Sequence, residues 1–374
     1  MSAREGTRFD AVAIGGGLAG AAFALELARN GVRVLVLERT REATLKVCGD
    51  FLSAEAIGLL AYLGLDVAAL GGSPVERLTL ATGRHVAHAA LPFRAAGLSR
   101  LLLDETLLRL AEGAGAVVER GAGVTGLIPG PPGVVVEAGG RRYSAAAACL
   151  ASGKHNVRGW ARSAGAVTAF KMQFALTPAA RADLCGRVQL VLFDGGYAGA
   201  SMVEGDLATV CWQLDADALA RFGFDWRGQL DVISAHSAML GDLLAGARPV
   251  TQRPAAIAGL PFGYVRRSAI APSVYAAGDQ LAVIPAFTGD GTSIALASGI
   301  GAARALLAGE GADVFQARFA SSLRRQFALA KTVSALFRAW PTRHAAVGAM
   351  ALLPAIASTM ARATRLNGPG RSAL

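Results

Sequence analysis

Two glycine clusters, each beside a carboxylate, are the parts of this sequence best suited to grip a ligand. The first is Gly15-x-Gly17-x-x-Gly20, with Glu38 eighteen residues beyond Gly20. Its first glycine permits a tight turn, its second lets a diphosphate approach the backbone, and its third lets a helix pack closely on a strand. A helix starting there offers free amides and its positive dipole end to phosphate oxygens. Glu38, at the end of the next strand, is placed to accept the hydroxyls of a ribose. The second cluster is GDQLAVIPAFTGDGTS, Gly278 to Ser293, far along the 374-residue chain. Asp279 suits the hydroxyls of a ribityl chain, and the first amides of the helix that follows suit a ring that gains negative charge on reduction. NAD has no second half that needs a remote strand and turn of this kind, whereas FAD does.

Several other residues carry chemistry. Cys48, followed by Gly49 and Asp50, is either a proton donor or gate at the reacting face of the cofactor or a buried, inert thiol. Lys46 is one of four lysines and is a candidate for phosphate or substrate contact as well as a surface charge. Tyr197 is placed to offer a hydroxyl to a substrate cavity. Cys48, Tyr197 and Lys46 are therefore the catalytic candidates. His155 reads as a capping or solvent-facing residue ahead of a base, Asp290 as a helix-start carboxylate ahead of a proton relay, and Trp212 as packing for a sheet face. His85, His88, His236 and His344 show no metal-ligand spacing, and no metal site is expected.

The elements that must position these groups follow from the patterning. Residues 9–38 read strand, glycine turn, helix, strand, with Gly31 as the helix stop. A mobile-looking segment, 39–50, leads to a helix near 53–63. A further helix is expected from Arg100 to about Ala111, a strand near Val117, a hairpin turn at PGPPG, Pro129 to Gly133, and a buried strand ending at Gly153. Residues 160–265 change character, and strand-like VQLVLF and LATVCWQL suggest a mostly antiparallel sheet. The strand-and-helix pattern returns at Val274 to Gly299, and the remainder reads as helical. The fold class is thus α/β: a discontinuous Rossmann-like FAD-binding domain, an inserted, mostly antiparallel β-sheet substrate domain and a helical C-terminal tail. The expected divisions are 1–159 (with substrate-domain excursions near 70–97), 160–265, 266–305 and 306–374.

Composition narrows the classes. Hydrophobic residues make up 53% and charged residues 17%, which describes a globular chain with a large core. The formal charge of +10 comes from scattered arginines without a basic, aromatic-interleaved stripe, so no nucleic-acid partner is expected. The four cysteines, Cys48, Cys149, Cys185 and Cys211, form no CxxC pair and fit reduced thiols in the cytoplasm. The polar opening, Met1 to Arg8, does not read as a signal peptide. Ala345 to Ile356 is apolar but too short to span a bilayer, which takes roughly 20 apolar residues. With arginines on either side of it, the C-terminal region suggests a lipophilic substrate or a peripheral membrane contact. The oligomeric state is not readable.

On these motifs the chain resembles the FAD-dependent superfamily that contains geranylgeranyl reductases and the group A aromatic hydroxylases, which share the para-hydroxybenzoate hydroxylase fold. The resemblance runs from residue 8 to about 305. It rests on Gly15, Gly17, Gly20 and Glu38, on SRLLLDETL with Arg100 matching the family arginine that touches the cofactor, and on Gly278, Asp279 and PAFTGDGTSIALASG, Pro285 to Gly299. KVCGDFLS, Lys46 to Ser53, is similar to the K-x-C-G loop of geranylgeranyl reductases, and GGYAGASMVEGD is similar to their segment after Gly-Tyr. Three departures stand out. The aspartate-glycine motif of the hydroxylases appears as ASGKHNVRG without its aspartate, Tyr197 is followed by Ala198-Gly199-Ala200 rather than tryptophan and proline, and the tryptophan and lysine signatures of flavin halogenases are not evident.

Together, motif and resemblance give as cofactor-binding candidates Gly15, Gly17, Leu18, Ala19, Gly20, Glu38, Arg39, Cys48, Gly49, Arg100, Val124, Gly153, Gly278, Asp279, Pro285, Gly289, Gly291, Thr292 and Ser293. The resemblance implies an FAD-dependent oxidoreductase, with NAD(P)H or another reductant as electron donor. The leading expectation is hydride transfer at flavin N5 to or from a hydrophobic, isoprenoid- or polyketide-like molecule. The alternatives are a monooxygenase that hydroxylates an aromatic or polyketide substrate through a C4a-hydroperoxyflavin, and a flavin-binding protein without turnover.

Overall fold

The computed structural model of the chain describes residues 8–366. The polar opening read as lacking a signal peptide and the last residues of the expected helical tail, 367–374, lie outside the described residues, except for Arg8. The chain begins with β1 (Arg8–Ile14), α1 (Leu18–Arg29) and β2 (Val34–Glu38), followed by a short β3 (Phe51–Leu52) and α2 (Ala54–Tyr62). A long hairpin, β4 (Ser73–Thr82) and β5 (His85–Gly97), leads to α3 (Arg100–Gly113) and β6 (Val117–Arg120). A meander of β7 (Val124–Gly130), β8 (Gly133–Ala138) and β9 (Arg141–Leu150) follows.

The middle of the chain supplies β10 (Val167–Ala175), α4 (Pro178–Leu184), β11 (Gly186–Phe193), β12 (Gly196–Met202) and β13 (Leu207–Leu214). Three short helices, α5 (Ala216–Phe222), α6 (Trp226–His236) and α7 (Ala238–Leu244), precede β14 (Arg248–Pro249), β15 (Ala255–Leu260) and β16 (Tyr264–Val265). The return segment is β17 (Val274–Ala276), β18 (Ala282–Val283) and α8 (Gly291–Leu307). Four helices close the described chain: α9 (Ala312–Ser322), α10 (Arg324–Arg338), α11 (Trp340–Leu352) and α12 (Pro354–Ala363).

These strands form two main sheets. The first has the order β6-β2-β1-β9-β8-β7, with β17 added to β9. Strands β6, β2, β1, β9 and β17 run parallel. β2 is buried along its whole length, as expected of a parallel strand covered on both faces. Helices α1, α3, α8 and α9 pack on one face around Phe23, Leu107, Ile300 and Phe315. β17 therefore returns, after more than a hundred residues, to the strand beside β1, which brings the second glycine cluster next to the first.

The second sheet has the order β14-β10-β13-β12-β11-β4-β5-β3, with β15 on β10, and is antiparallel except where β11 meets β4. Its outer face is covered by α4 to α7 around Phe170, Trp212 and Ile233. Trp212 does pack a sheet face: its ring stacks on Phe170 with centroids 5.3 Å apart, and its Nε1 donates to Gln229 Oε1 at 2.8 Å. The C-terminal helices do not trail away. They fold back so that Val333, Phe337, Val347, Met350 and Ala357 pack on Leu80, Ala87 and Leu192 of the second sheet.

Candidate functional site

A cavity of about 590 Å3 is lined by residues of both sheets, of the 39–50 segment and of the C-terminal helices. At one end lies the β1–α1 turn. A Cβ on Gly20 would sit 1.9 Å from the Gly15 carbonyl oxygen, and one on Gly15, whose φ is +107°, would sit 2.6 Å from the Ala151 oxygen. Only glycine lets α1 approach the sheet this closely. Gly17 differs, because a Cβ there would meet only the polar ends of Lys46, Arg100 and Asp104, at 3.6 to 3.9 Å. The helix N-terminus thus faces a cradle rimmed by side-chain charges.

Those charges come from three elements. Arg100 opens α3 and donates to Asp104, one turn on, through Nε at 2.7 Å and Nη2 at 3.0 Å. Lys46 Nζ reaches the same carboxylate at 2.7 Å. Burial alone raises the Asp104 pKa, but Arg100 and Lys46 outweigh it and hold the carboxyl below its ordinary range. Two cations share one anion, so the cluster keeps an excess positive charge beside the amides of α1. That arrangement suits a diphosphate.

Glu38, the last residue of β2, accepts from the Gly16 amide at 2.8 Å and from the Thr40 amide and hydroxyl at 3.0 and 2.8 Å. Burial raises its pKa, and the Thr40 amide, Lys46 and the Gly16 amide more than offset this, leaving it lowered. A buried, ionised acceptor at the end of the second strand fits a ribose. Arg39 and Val124 also line this part of the cavity.

At the other end, Gly278 and Asp279 follow β17, and the Gly278 amide donates to Ser298 Oγ at 2.8 Å. Lys154 Nζ lies 3.4 Å from Asp279 Oδ2, and Arg162 donates to the Asp279 carbonyl at 2.5 Å. Gly153, Gly289, Gly291 and Thr292 line the same stretch, where α8 presents its N-terminus. The donor set from Glu38 to α8 fits FAD: Gly17, Lys46 and Arg100 would hold the diphosphate, Glu38 the adenosine ribose, Asp279 the ribityl hydroxyls, and the amides at Gly291 and Thr292 the ring.

The rest of the cavity is largely apolar. Leu78, Leu80, Leu190, Phe262, Phe287 and Phe337 form much of its wall, with Met360 from α12. Among them stand Cys48, Tyr197, Cys211 and Gln213. Burial, with Cys211 and Cys48 nearby, raises the Tyr197 pKa well above its ordinary value, and burial pushes the Cys211 thiol up to about 12. Gln213 Oε1 is buried without a hydrogen-bond partner among the described residues.

Several expectations need correction. The 39–50 segment is anchored rather than loose. Lys46 is tied to Asp104, Lys154 Nζ donates to the Val47 carbonyl at 3.0 Å, and Asp50 forms a fully buried ion pair with Lys171 at 2.5 Å. Asp50 adopts a φ of +55°, held there by the Thr209 hydroxyl at 2.7 Å and the Arg100 amide at 3.1 Å. Lys46 stands beside Gly17, at the diphosphate end and away from the apolar end, so its geometry is that of a binding group rather than a catalytic one.

Gly20, Pro285 and Ser293 do not line the cavity. Gly20 is packed on Gly15, Pro285 accepts from the Thr288 hydroxyl at 2.9 Å, and Ser293 Oγ lies 2.9 Å from Ser53 Oγ in the core. Asp290 does not cap α8 through its side chain. Its carboxylate pairs with Arg365 at 2.9 Å and accepts from Gln326 at 2.5 Å, while burial raises its pKa to about 7 against the pull of Arg365. His155 is exposed where it lines the cavity, in keeping with the solvent-facing reading, and its pKa is lowered by partial burial and by Arg39 and other cations. The sequence reading missed Asp104, whose i,i+4 spacing from Arg100 is visible, and the pair Asp50–Lys171, which is not.

Comparison with known proteins agrees with this geometry. Residues 8–145 match the FAD binding domain family. Squalene epoxidase 4 of Arabidopsis thaliana is 35% identical over 91 residues, 24% of this chain and 18% of that protein. The match therefore spans under a fifth of that relative's length. Among solved structures, the flavin-dependent brominase Bmp2 superposes with a TM-score of 0.77 at 17% identity, covering 96% of this chain and 93% of the other. A geranylgeranyl bacteriochlorophyll reductase-like protein from Thermoplasma acidophilum gives 0.72 at 15%, covering 98% and 95%. The myxobacterial chondrochloren halogenase CndH gives 0.72 at 21%, covering 87% and 79%. At these identities what the chain shares with the solved structures is the fold alone.

Proposed function

We propose that this chain, built on an FAD-binding domain, is an FAD-dependent oxidoreductase that acts on a hydrophobic small molecule of isoprenoid or polyketide type by hydride transfer at flavin N5. The observation that carries the reading is the continuity of the cavity, with dinucleotide-holding groups at one end and an apolar chamber at the other. FAD, when bound, supplies the redox chemistry, and NAD(P)H or another reductant is the electron source.

The chain's own residues do the remaining work. Leu80, Leu190, Phe287 and Phe337 exclude water and accept an apolar substrate. Gln213 lines the cavity and its buried Oε1 has no partner among the described residues, so a turn of that side chain would let it accept from a substrate hydroxyl and orient an otherwise featureless chain. The Tyr197 hydroxyl and the Cys211 thiol keep their protons at neutral pH because burial disfavours their anions. Cys48, on the anchored 46–50 segment, faces the same space. Any of these three can deliver the proton that accompanies a hydride across a double bond.

A second reading is oxygen insertion by the same site, favoured by the local likeness to squalene epoxidase 4. One experiment separates the readings. Reduced holoprotein is mixed, without O2, with a panel of isoprenoid and polyketide-like acceptors while flavin absorbance is followed. Reoxidation coupled to substrate reduction is expected. Turnover only with O2, with oxygen in the product, would replace the reductase reading by the oxygenase one. Failure of every acceptor under both conditions would leave a flavin-binding protein without turnover.

A further inference from the structure

Six consecutive apolar residues, Ala351 to Ile356, are exposed where α11 meets α12. Leu352 is 84% exposed, Leu353 61% and Ile356 41%. The two helices meet at a bend of 111°, and the residues behind the elbow, Val347, Met350 and Ala357, are buried against the second sheet. A rigid base therefore holds out an apolar tip, and exposed runs of this kind mark a contact surface.

Charge identifies the partner. Asp313 is the last acidic residue of the chain, and the sequence beyond it is rich in arginine. Arg324, Arg325, Lys331, Arg338 and Arg362 are exposed, and among the described residues none of the five is paired with a carboxylate. Four of these cations are on α10 and one on α12, and an apolar tip in a region of unneutralised cations matches an anionic lipid surface. A second copy of the chain would bring like charges together, which disfavours self-association. Neither helix is long and apolar enough to cross a bilayer.

We infer that the α11–α12 elbow is a docking surface for an anionic phospholipid bilayer, with Leu352, Leu353 and Ile356 inserting among the lipids and the five cations meeting the headgroups. The inner face of α12, through Ala357, Met360 and Ala361, lines the apolar end of the cavity. Docking would thus place that end against the bilayer, a consequence that rests on the lipophilic-substrate reading, although the docking itself does not.

The test is flotation of the full-length, FAD-loaded protein with phosphatidylcholine vesicles, with and without phosphatidylglycerol. The expected result is flotation with the phosphatidylglycerol vesicles, little with phosphatidylcholine alone, and loss of flotation in Leu352→Glu/Leu353→Glu/Ile356→Glu with FAD content unchanged. Should that variant lose FAD, Arg338→Gln/Arg362→Gln provides the second measure, with reduced flotation expected on the anionic vesicles only. The inference is overturned by a wild type that stays with the soluble fraction, by variants that float as well as the wild type, or by self-association through the elbow without flotation. None of these readouts depends on turnover, so failure here is distinct from failure of the proposed reaction.

Discussion

Glu38 shows how far a single residue can be read from sequence. Its distance from Gly20 and its place at the end of a strand are the pattern read as a ribose ligand, and in the structure it is buried with its pKa lowered, as that role would require. Glu38→Gln keeps the shape but removes the charge from its hydrogen bonds, which are worth about 1.5–3 kcal/mol each when charged. FAD affinity is expected to fall by roughly 10- to 100-fold, measured by fluorescence titration of the apoprotein; unchanged affinity would remove Glu38 from the site. Asp50 and Lys171 are the opposite case. They lie on a loop and a strand far apart in sequence, and neither residue signals the other until β3, which follows Asp50, and β10, which carries Lys171, join the second sheet. Breaking this buried pair with Lys171→Met strands the Asp50 carboxylate, at a cost of about 3–5 kcal/mol. Denaturant unfolding should show that loss, and Asp50→Asn added to Lys171→Met should recover part of it. A single variant as stable as the wild type would contradict the pairing.

At the scale of elements, α1 was legible because its glycines, apolar stripe and stop signal all agree. The strictness of each glycine was not, since it depends on what lies opposite. Gly20→Ala drives a methyl into the Gly15 carbonyl and should abolish FAD retention. Gly31→Ala has open space around it and a φ of +74°, so only backbone strain of roughly 1–2 kcal/mol is expected. Purified FAD content and melting temperature distinguish the two. The link from the start of α8 to Gln326 of α10 and to Arg365, just beyond α12, was equally hidden, because a carboxylate at a helix start reads as a cap. The folded Asp290 pKa of about 7 exceeds the unfolded value of about 3.9. Between those values the folded chain keeps a proton that the unfolded chain has released, so this group's contribution to stability declines as pH rises from about 4 to about 7. The melting temperature of Asp290→Asn minus that of the wild type should therefore increase across that window. A flat or falling difference would contradict a buried, proton-retaining Asp290.

At the scale of the whole molecule, the two-part architecture was legible from the return of the strand-and-glycine pattern at Val274. What sequence could not convey is that the C-terminal helices turn back to wall the cavity, because their amphipathic faces do not name the surface they cover. Helix α12 supplies Met360, and the residues just beyond it Arg365, to the same cavity that begins at Glu38, so the two glycine clusters and the apolar chamber share one continuous cavity. The reach of that cavity is tested most directly by titrating the apoprotein with FAD and with FMN, which lacks the adenosine half. One FAD per chain is expected, bound at least about tenfold more tightly than FMN, because the groups at Gly17 and Glu38 grip only the longer molecule. Equal affinity for the two flavins, or no FAD binding at all, would contradict the assignment of the Glu38 end to adenosine and, with it, the single site running from there to the apolar chamber.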